Sequence, residues 1–259
     1  MIARDIIAAL EGFAPLSIQE SWDNSGLCIG SPDWEVPSVL LGFDCTPELI
    51  DEAVALGAGM VITHHPLIFG GLKKIDPRDP VGEAVIKAIR GGIAVYAAHT
   101  SADKVERGVS GAMARRLGLK DIRILDPDGE DSGLGAIGDF PEPLSYDEAL
   151  ALVKRCFGLQ TVRSSKPLTQ PVSCVAMCGG SGSSLIEKAR SLGAQLYISA
   201  DISYHHFFTP DGFAIMDIGH FESEVEIVDI LFSYLRKKFP NFAVYVSKTL
   251  AASNPVKYL

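Results

Sequence analysis

Two neighbouring imidazoles at the end of an apolar run are the first place in this chain where chemistry could sit. Thr63-His64-His65-Pro66 follows directly on Gly59-Met-Val-Ile. Ligands often gather at the carboxyl ends of strands in open α/β sheets. Adjacent residues on a strand point to opposite faces. Where Pro66 breaks the ladder, the two rings could instead straddle a pair of metals. Two further segments set an imidazole four residues before an acid: His99-Thr-Ser-Ala-Asp103 and His220-Phe-Glu-Ser-Glu224. That spacing puts both groups on one face of a helical turn. Imidazole with carboxylate suits zinc, iron or manganese better than calcium. A lone histidine is more often a satisfied polar residue than a ligand. Asp103 and Glu224 taken singly would be ordinary first-turn acids. Four histidines at comparable strand ends, two with matched acids, favour the metal site.

Other patterns are weaker. His205 and His206 lie in Ala200-Asp-Ile-Ser-Tyr-His-His-Phe-Phe. His205 is open to three roles: proton donor, ligand contact or structural residue. Gly133-Leu-Gly-Ala-Ile-Gly138 fits a dinucleotide fingerprint by letters, but Asp139-Phe-Pro-Glu-Pro143 follows and no helix opens there, so it is rejected. Cys178-Gly-Gly-Ser-Gly-Ser-Ser184 is either an anion cradle or a tight structural turn. Lys73-Lys74 is either a phosphate contact or a solvated loop. No G-x-S-x-G elbow supports a nucleophilic triad.

The elements that must position these groups alternate in type. Val39–Phe43, Gly59–Thr63 and Ile93–Ala97 read as buried parallel strands. Between them, Pro47–Leu56 and Val81–Arg90 have helical spacing, with Thr46 as N-cap before Pro47. The order implies an α/β fold with mostly parallel sheets. The second half repeats the first. Residues 39–63 shifted by 136 positions onto 175–199 give eight identities without a gap, including Leu49/Leu185, Ala53/Ala189 and Ile62/Ile198. Further on, with a different offset, Gly92-Ile-Ala-Val-Tyr aligns with Gly212-Phe-Ala-Ile-Met. The repeat sets Ala200 and Asp201 where the first half has its two histidines, so that pair is lost. It predicts two related units from a duplication, with the metal site between them, and histidine segments that follow strands of one sheet. The expected sections are 1–125, a short β-α connection at 126–170 opened by Asp126-Pro-Asp-Gly, and 171–259. Within the connection, Gly133–Phe140 reads as a strand and Ser145-Tyr-Asp-Glu148 as a capping box starting a helix to Cys156.

Composition bounds the rest. The 259 residues carry 32 Asp+Glu against 23 Lys+Arg, a net charge of −9, with 47% hydrophobic and 21% charged residues. That excludes a disordered chain. The acidic balance argues against nonspecific nucleic-acid or anionic-membrane binding. No apolar run reaches the ~18 residues of a membrane span, and Asp5 interrupts the only hydrophobic stretch at the N-terminus. Five scattered cysteines form neither a disulfide framework nor a zinc ribbon. The expectation is a cytoplasmic protein with reduced thiols.

Seven motifs stand together in this chain: Glu20-Ser-Trp-Asp-Asn-Ser-Gly-Leu27, Asp44-Cys-Thr46, Ile62-Thr-His-His-Pro-Leu-Ile-Phe69, His99-Thr-Ser-Ala-Asp103, Gly133–Gly138, Cys178–Gly182 and Asp217-Ile-Gly-His-Phe-Glu-Ser-Glu224. Together they resemble the Nif-three-like family, whose members are called GTP cyclohydrolase I type 2 homologues. The resemblance implies two divalent metal ions. It assigns His65 and Asp103 to one, His64 and His220 to the other, and Glu224 as the bridge. It places His99 near the metals rather than among their ligands, whereas the repeat makes His99 equivalent to His220. It further implies a homohexamer and a hydrolase whose metal-activated water opens the guanine ring of GTP. His99 or His205 would then carry protons. Ser101-Ala102 and Ala200-Asp201 depart from the family pattern without removing a ligand. A metal-binding regulatory or metal-delivery protein without turnover is the alternative.

Overall fold

Two helices start the same way: a side chain caps the backbone N–H groups just before a proline in the first turn. Thr46 Oγ1 accepts from the Leu49 N–H ahead of Pro47, and Asp79 accepts from Val81 and Gly82 ahead of Pro80. Proline's fixed φ and missing donor suit that position. A third helix opens on the reciprocal Ser145–Glu148 capping box. The computed structural model describes residues 1–258, so Leu259 lies outside it.

In chain order the first strands are β1 (Gly26–Ile29), β2 (Ser38–Leu41), β3 (Met60–Thr63) and β4 (Ala94–Ala97). They are followed by β5 (Lys120–Pro127), β6 (Gly133–Leu144), β7 (Arg163–Ser164) and β8 (Val172–Ser181). The last are β9 (Leu196–Ala200), β10 (Ala214–Asp217) and β11 (Ala243–Val246). The helices are α1 (Ala3–Phe13), α2 (Pro47–Leu56), α3 (Pro80–Gly91), α4 (Thr100–Asp103) and α5 (Val109–Arg116). Then come α6 (Tyr146–Phe157), α7 (Ile186–Ser191), α8 (His220–Glu224) and α9 (Glu226–Lys238).

Two compact units result. One contains residues 1–102 together with the chain from Ile227 onward. Its sheet has the order β1-β4-β3-β2-β11, parallel except for β1. Every residue of β2, β3 and β4 is buried, which is why these segments read as continuous apolar runs. Leu40, Val61 and Val95 join Ile50 and Ala88 of α2 and α3 in the core.

The other unit is Asp103–Glu226. Its sheet runs β5-β6-β8-β9-β10-β7, with a parallel centre of β8, β9 and β10 and antiparallel strands outside it. Leu125, Ile137, Ala176, Tyr197 and Ile215 build its core. The parallel cores β2-β3-β4 and β8-β9-β10 match the repeat, so two similar α/β halves are consistent with a duplication.

Two expectations need correction. The histidine segments do not follow strands of one sheet: His64 and His99 follow β3 and β4, and His220 follows β10 of the other. Each parallel core is flanked on both sides by strands of its own unit, so each closes a separate sheet. The units also divide elsewhere than at 126 and 171. β5 pairs with β6 and β6 with β8, while β11 returns to lie parallel to β2. Gly133–Gly138 lies wholly within β6, in keeping with its rejection as a dinucleotide loop. None of the described helices is long and apolar enough to cross a membrane.

Candidate metal centre

β3 ends at Thr63, and the chain then turns so that the His64 and His65 N–H groups both donate to the Phe43 carbonyl, at 3.1 and 3.2 Å. Thr63 Oγ1 donates to the His65 carbonyl at 2.7 Å, tightening the same turn. This local folding defeats the strand alternation that would have sent the two rings apart. Their centroids are 5.0 Å apart. His99, just past β4, joins them: one ligand-capable atom from each of His64, His65 and His99 lies within 4.8 Å of the other two.

Each ring is oriented by its Nδ1. His64 Nδ1 lies 2.8 Å from the Ala98 carbonyl, His65 Nδ1 2.7 Å from Asp44 Oδ1, and His99 Nδ1 2.7 Å from Asp23 Oδ1. A carbonyl and an ionised carboxylate can only accept, so Nδ1 carries the proton and donates. In the neutral ring the lone pair is then on Nε2. Metal-binding histidines are oriented in this way by carboxylates and backbone carbonyls.

Asp23 is more than an orienting acceptor. Its side chain is fully buried and accepts from His99 Nδ1, Thr100 N and Oγ1, and Ser25 Oγ. Burial by itself would raise this carboxyl, but those hydrogen bonds outweigh it and hold it well below the usual carboxylate range.

The second unit supplies an imidazole with two carboxylates. His220 opens α8, with Nδ1 2.7 Å from Asp201 Oδ2 and Nε2 2.9 Å from Glu224 Oε2. The ring thus lies between two carboxylates. The position four residues on, expected from helical spacing, is therefore the one that meets the ring. Asp103 ends α4. Burial, with the Asp103 and Glu224 carboxylates adding to it, pushes the Cys178 thiol up to about 12, so the thiol is neutral at pH 7.

The glycine segment after Cys178 is a structural turn built around this acid. Its N–H groups are used within the unit: Gly179 donates to Ser110 Oγ, Gly180 to Ser223 Oγ and Gly182 to Ser199 Oγ. Gly180 has φ +59°, and a Cβ there would lie 2.2 Å from Glu224 Oε1. His205 occupies a short 3-10 turn, Tyr204–Phe207, where it is exposed and contacts the Tyr204 and Phe208 rings. Lys73 and Lys74 are exposed on the loop between β3 and α3.

Nothing in the sequence motifs gives Asp23, Asp44 or Asp201 a role, although Asp44 and Asp201 carry a signal. Asp44 follows β2, the neighbour of the strand before His65, and Asp201 follows β9, the neighbour of the strand before His220. An acid past one strand orients a histidine past the next. The donor set of imidazole Nε2 atoms and carboxylate oxygens fits divalent zinc, iron or manganese.

A family profile described as Duf34/NIF3 (NGG1p interacting factor 3) matches residues 1–255. A Clostridium perfringens protein named GTP cyclohydrolase 1 type 2 homolog is 34% identical, over 86% of this chain and 87% of its own length. A Streptococcus pneumoniae protein of the same name is 32% identical over the whole of both chains. Among solved structures, a Staphylococcus aureus hypothetical protein superposes with a TM-score of 0.91 at 27% identity, covering 100% of this chain and 99% of that one.

Proposed function

The chain belongs to the Duf34/NIF3 family, and on that premise we propose that it is a hydrolase working with two divalent cations held by His64, His65, Asp103, His220 and Glu224. The observation that carries the reading is the orientation of the rings: His64, His65 and His220 each direct Nδ1 to an oxygen acceptor. When bound, two such cations bring a water's pKa toward neutrality and polarise the substrate.

The chain's own residues prepare for this. Asp44 and Asp201 keep His65 and His220 in one tautomer, and Gly180 leaves room for Glu224. His99 is placed to accept a proton at Nε2 while Asp23 stabilises the imidazolium through Nδ1. His205 is the second candidate for proton transfer. A nucleotide is the substrate class, GTP first, because the relatives carry the cyclohydrolase name. Lys73 and Lys74 would meet its phosphates.

Elemental analysis of protein purified without added metal should find about two transition-metal ions per chain. The same protein should release formate from GTP, and His65→Ala should lose both a metal and the activity. Metal-free protein that takes up no zinc, iron or manganese would overturn the site. Two bound metals with no turnover of any nucleotide or phosphoester would leave a metal-binding protein instead of a hydrolase.

A further inference from the structure

Trp22 and Phe69 stand beside the His99 ring with 57% of each residue's surface exposed. Their ring centroids are 5.7 Å apart, with planes at 42°. Trp22 is 6.1 Å and Phe69 6.0 Å from the His99 ring, each at 71° to it. Two large rings left together in water point to a ligand. The backbone that carries them is pinned. Asp23, next to Trp22, is held by His99, Thr100 and Ser25. Asn24 Nδ2 donates to the carbonyl of Ile68, the residue before Phe69, at 2.5 Å. Exposed rings on a fixed frame need little ordering when they bind.

We infer that Trp22 and Phe69 form a stacking platform for a planar heteroaromatic ring, of purine size, in the molecule handled at the adjacent histidines. The inference rests on the reading of those histidines as part of a reaction site. A third ring cannot enter between the two, because two stacking contacts of ~3.5 Å need about 7 Å. The ligand lies across the exposed faces instead. At stacking distance from either ring it stays beside His99, whose Nε2 can meet a polar edge. Every nucleobase offers a π face to such a platform, whereas a sugar phosphate offers none.

The chain has two tryptophans, so Trp34→Phe leaves Trp22 as the only one. In that protein, guanosine and guanosine monophosphate should quench the Trp22 fluorescence saturably, and ribose 5-phosphate should not. Phe69→Ala should weaken guanosine monophosphate binding about fivefold or more, and Phe69→Tyr should retain it. Calorimetry on the unaltered chain gives the same affinity without relying on the Trp34 substitution. Metal content is measured on the same samples. Phe69-dependent quenching in protein that neither holds nor takes up metal would keep the platform and discard the metal reading. Bound metal without nucleoside binding, equal binding of ribose 5-phosphate, or a Phe69→Ala protein that titrates like its parent would overturn the platform.

Discussion

Asp44 touches the proposed centre only through His65, and that makes it the sharpest probe of the oriented-ring argument. Without its carboxylate the ring can swap tautomers and move its lone pair to Nδ1. Losing such a partner typically weakens metal binding 10- to 100-fold. Asp44→Ala should therefore lower zinc affinity by about that factor in a competition titration, with the fold retained; an unchanged affinity would refute the orienting role. Asp23 makes a different prediction because its carboxyl is held low in the folded chain. A carboxyl depressed by folding adds stability that is complete above its unfolded pKa, about 4, and is lost as the pH falls through its folded value. Hydrogen bonds to a buried charge of this kind contribute about 2 kcal/mol. Asp23→Asn should thus be less stable in urea at pH 7, and its deficit should shrink as the pH falls below 4. A deficit independent of pH would show that the carboxylate's charge is not what stabilises the native state.

At the scale of elements, the glycine segment at the end of β8 carries the strongest constraint on the site. Gly180→Ala would set a Cβ against Glu224 Oε1 in a left-handed backbone conformation. Gly158 is the matched comparison, with φ +69° and nothing within 4 Å of the added atom. Gly158→Ala should cost only the left-handed penalty, about 1 kcal/mol. Gly180→Ala should add an overpacking cost of about 1–3 kcal/mol and lose a metal, read by elemental analysis. Equal losses in the two variants would mean that Glu224 moves freely. Most of these elements were legible in the sequence. The runs before His64 and His99 became β3 and β4, Thr46-Pro47 opened α2, and the capping box opened α6. Burial on both faces and local capping write themselves into nearby residues. Asp23 was harder to read, because it meets a ring 76 positions away. The extent of β6 beyond Phe140 was hidden by its prolines. Pairing partners are non-local, and no residue type announces them.

At the scale of the whole chain, that same non-locality makes the first unit discontinuous. β11 pairs with β2 from Ala243↔Ser38 to Val246↔Leu41, and α9 buries Ile227, Val228, Leu231 and Leu235. A fragment ending at residue 102 would leave β2, buried along its whole length, as a bare hydrophobic edge. Such an edge invites pairing with other chains. The second unit has no such gap, because its strands and core all come from Asp103–Glu226. Residues 103–226 expressed alone should therefore give a cooperative urea transition and dispersed amide resonances. Residues 1–102 should aggregate and become soluble when 227–258 is fused behind them through a short linker. Failure of that fusion to rescue, or a monomeric, cooperatively folding 1–102, would show that the returning strand is not what completes the first sheet. The repeat therefore marks two similar parallel cores without marking where each unit begins and ends: the first half of the duplication is finished by the last residues of the chain.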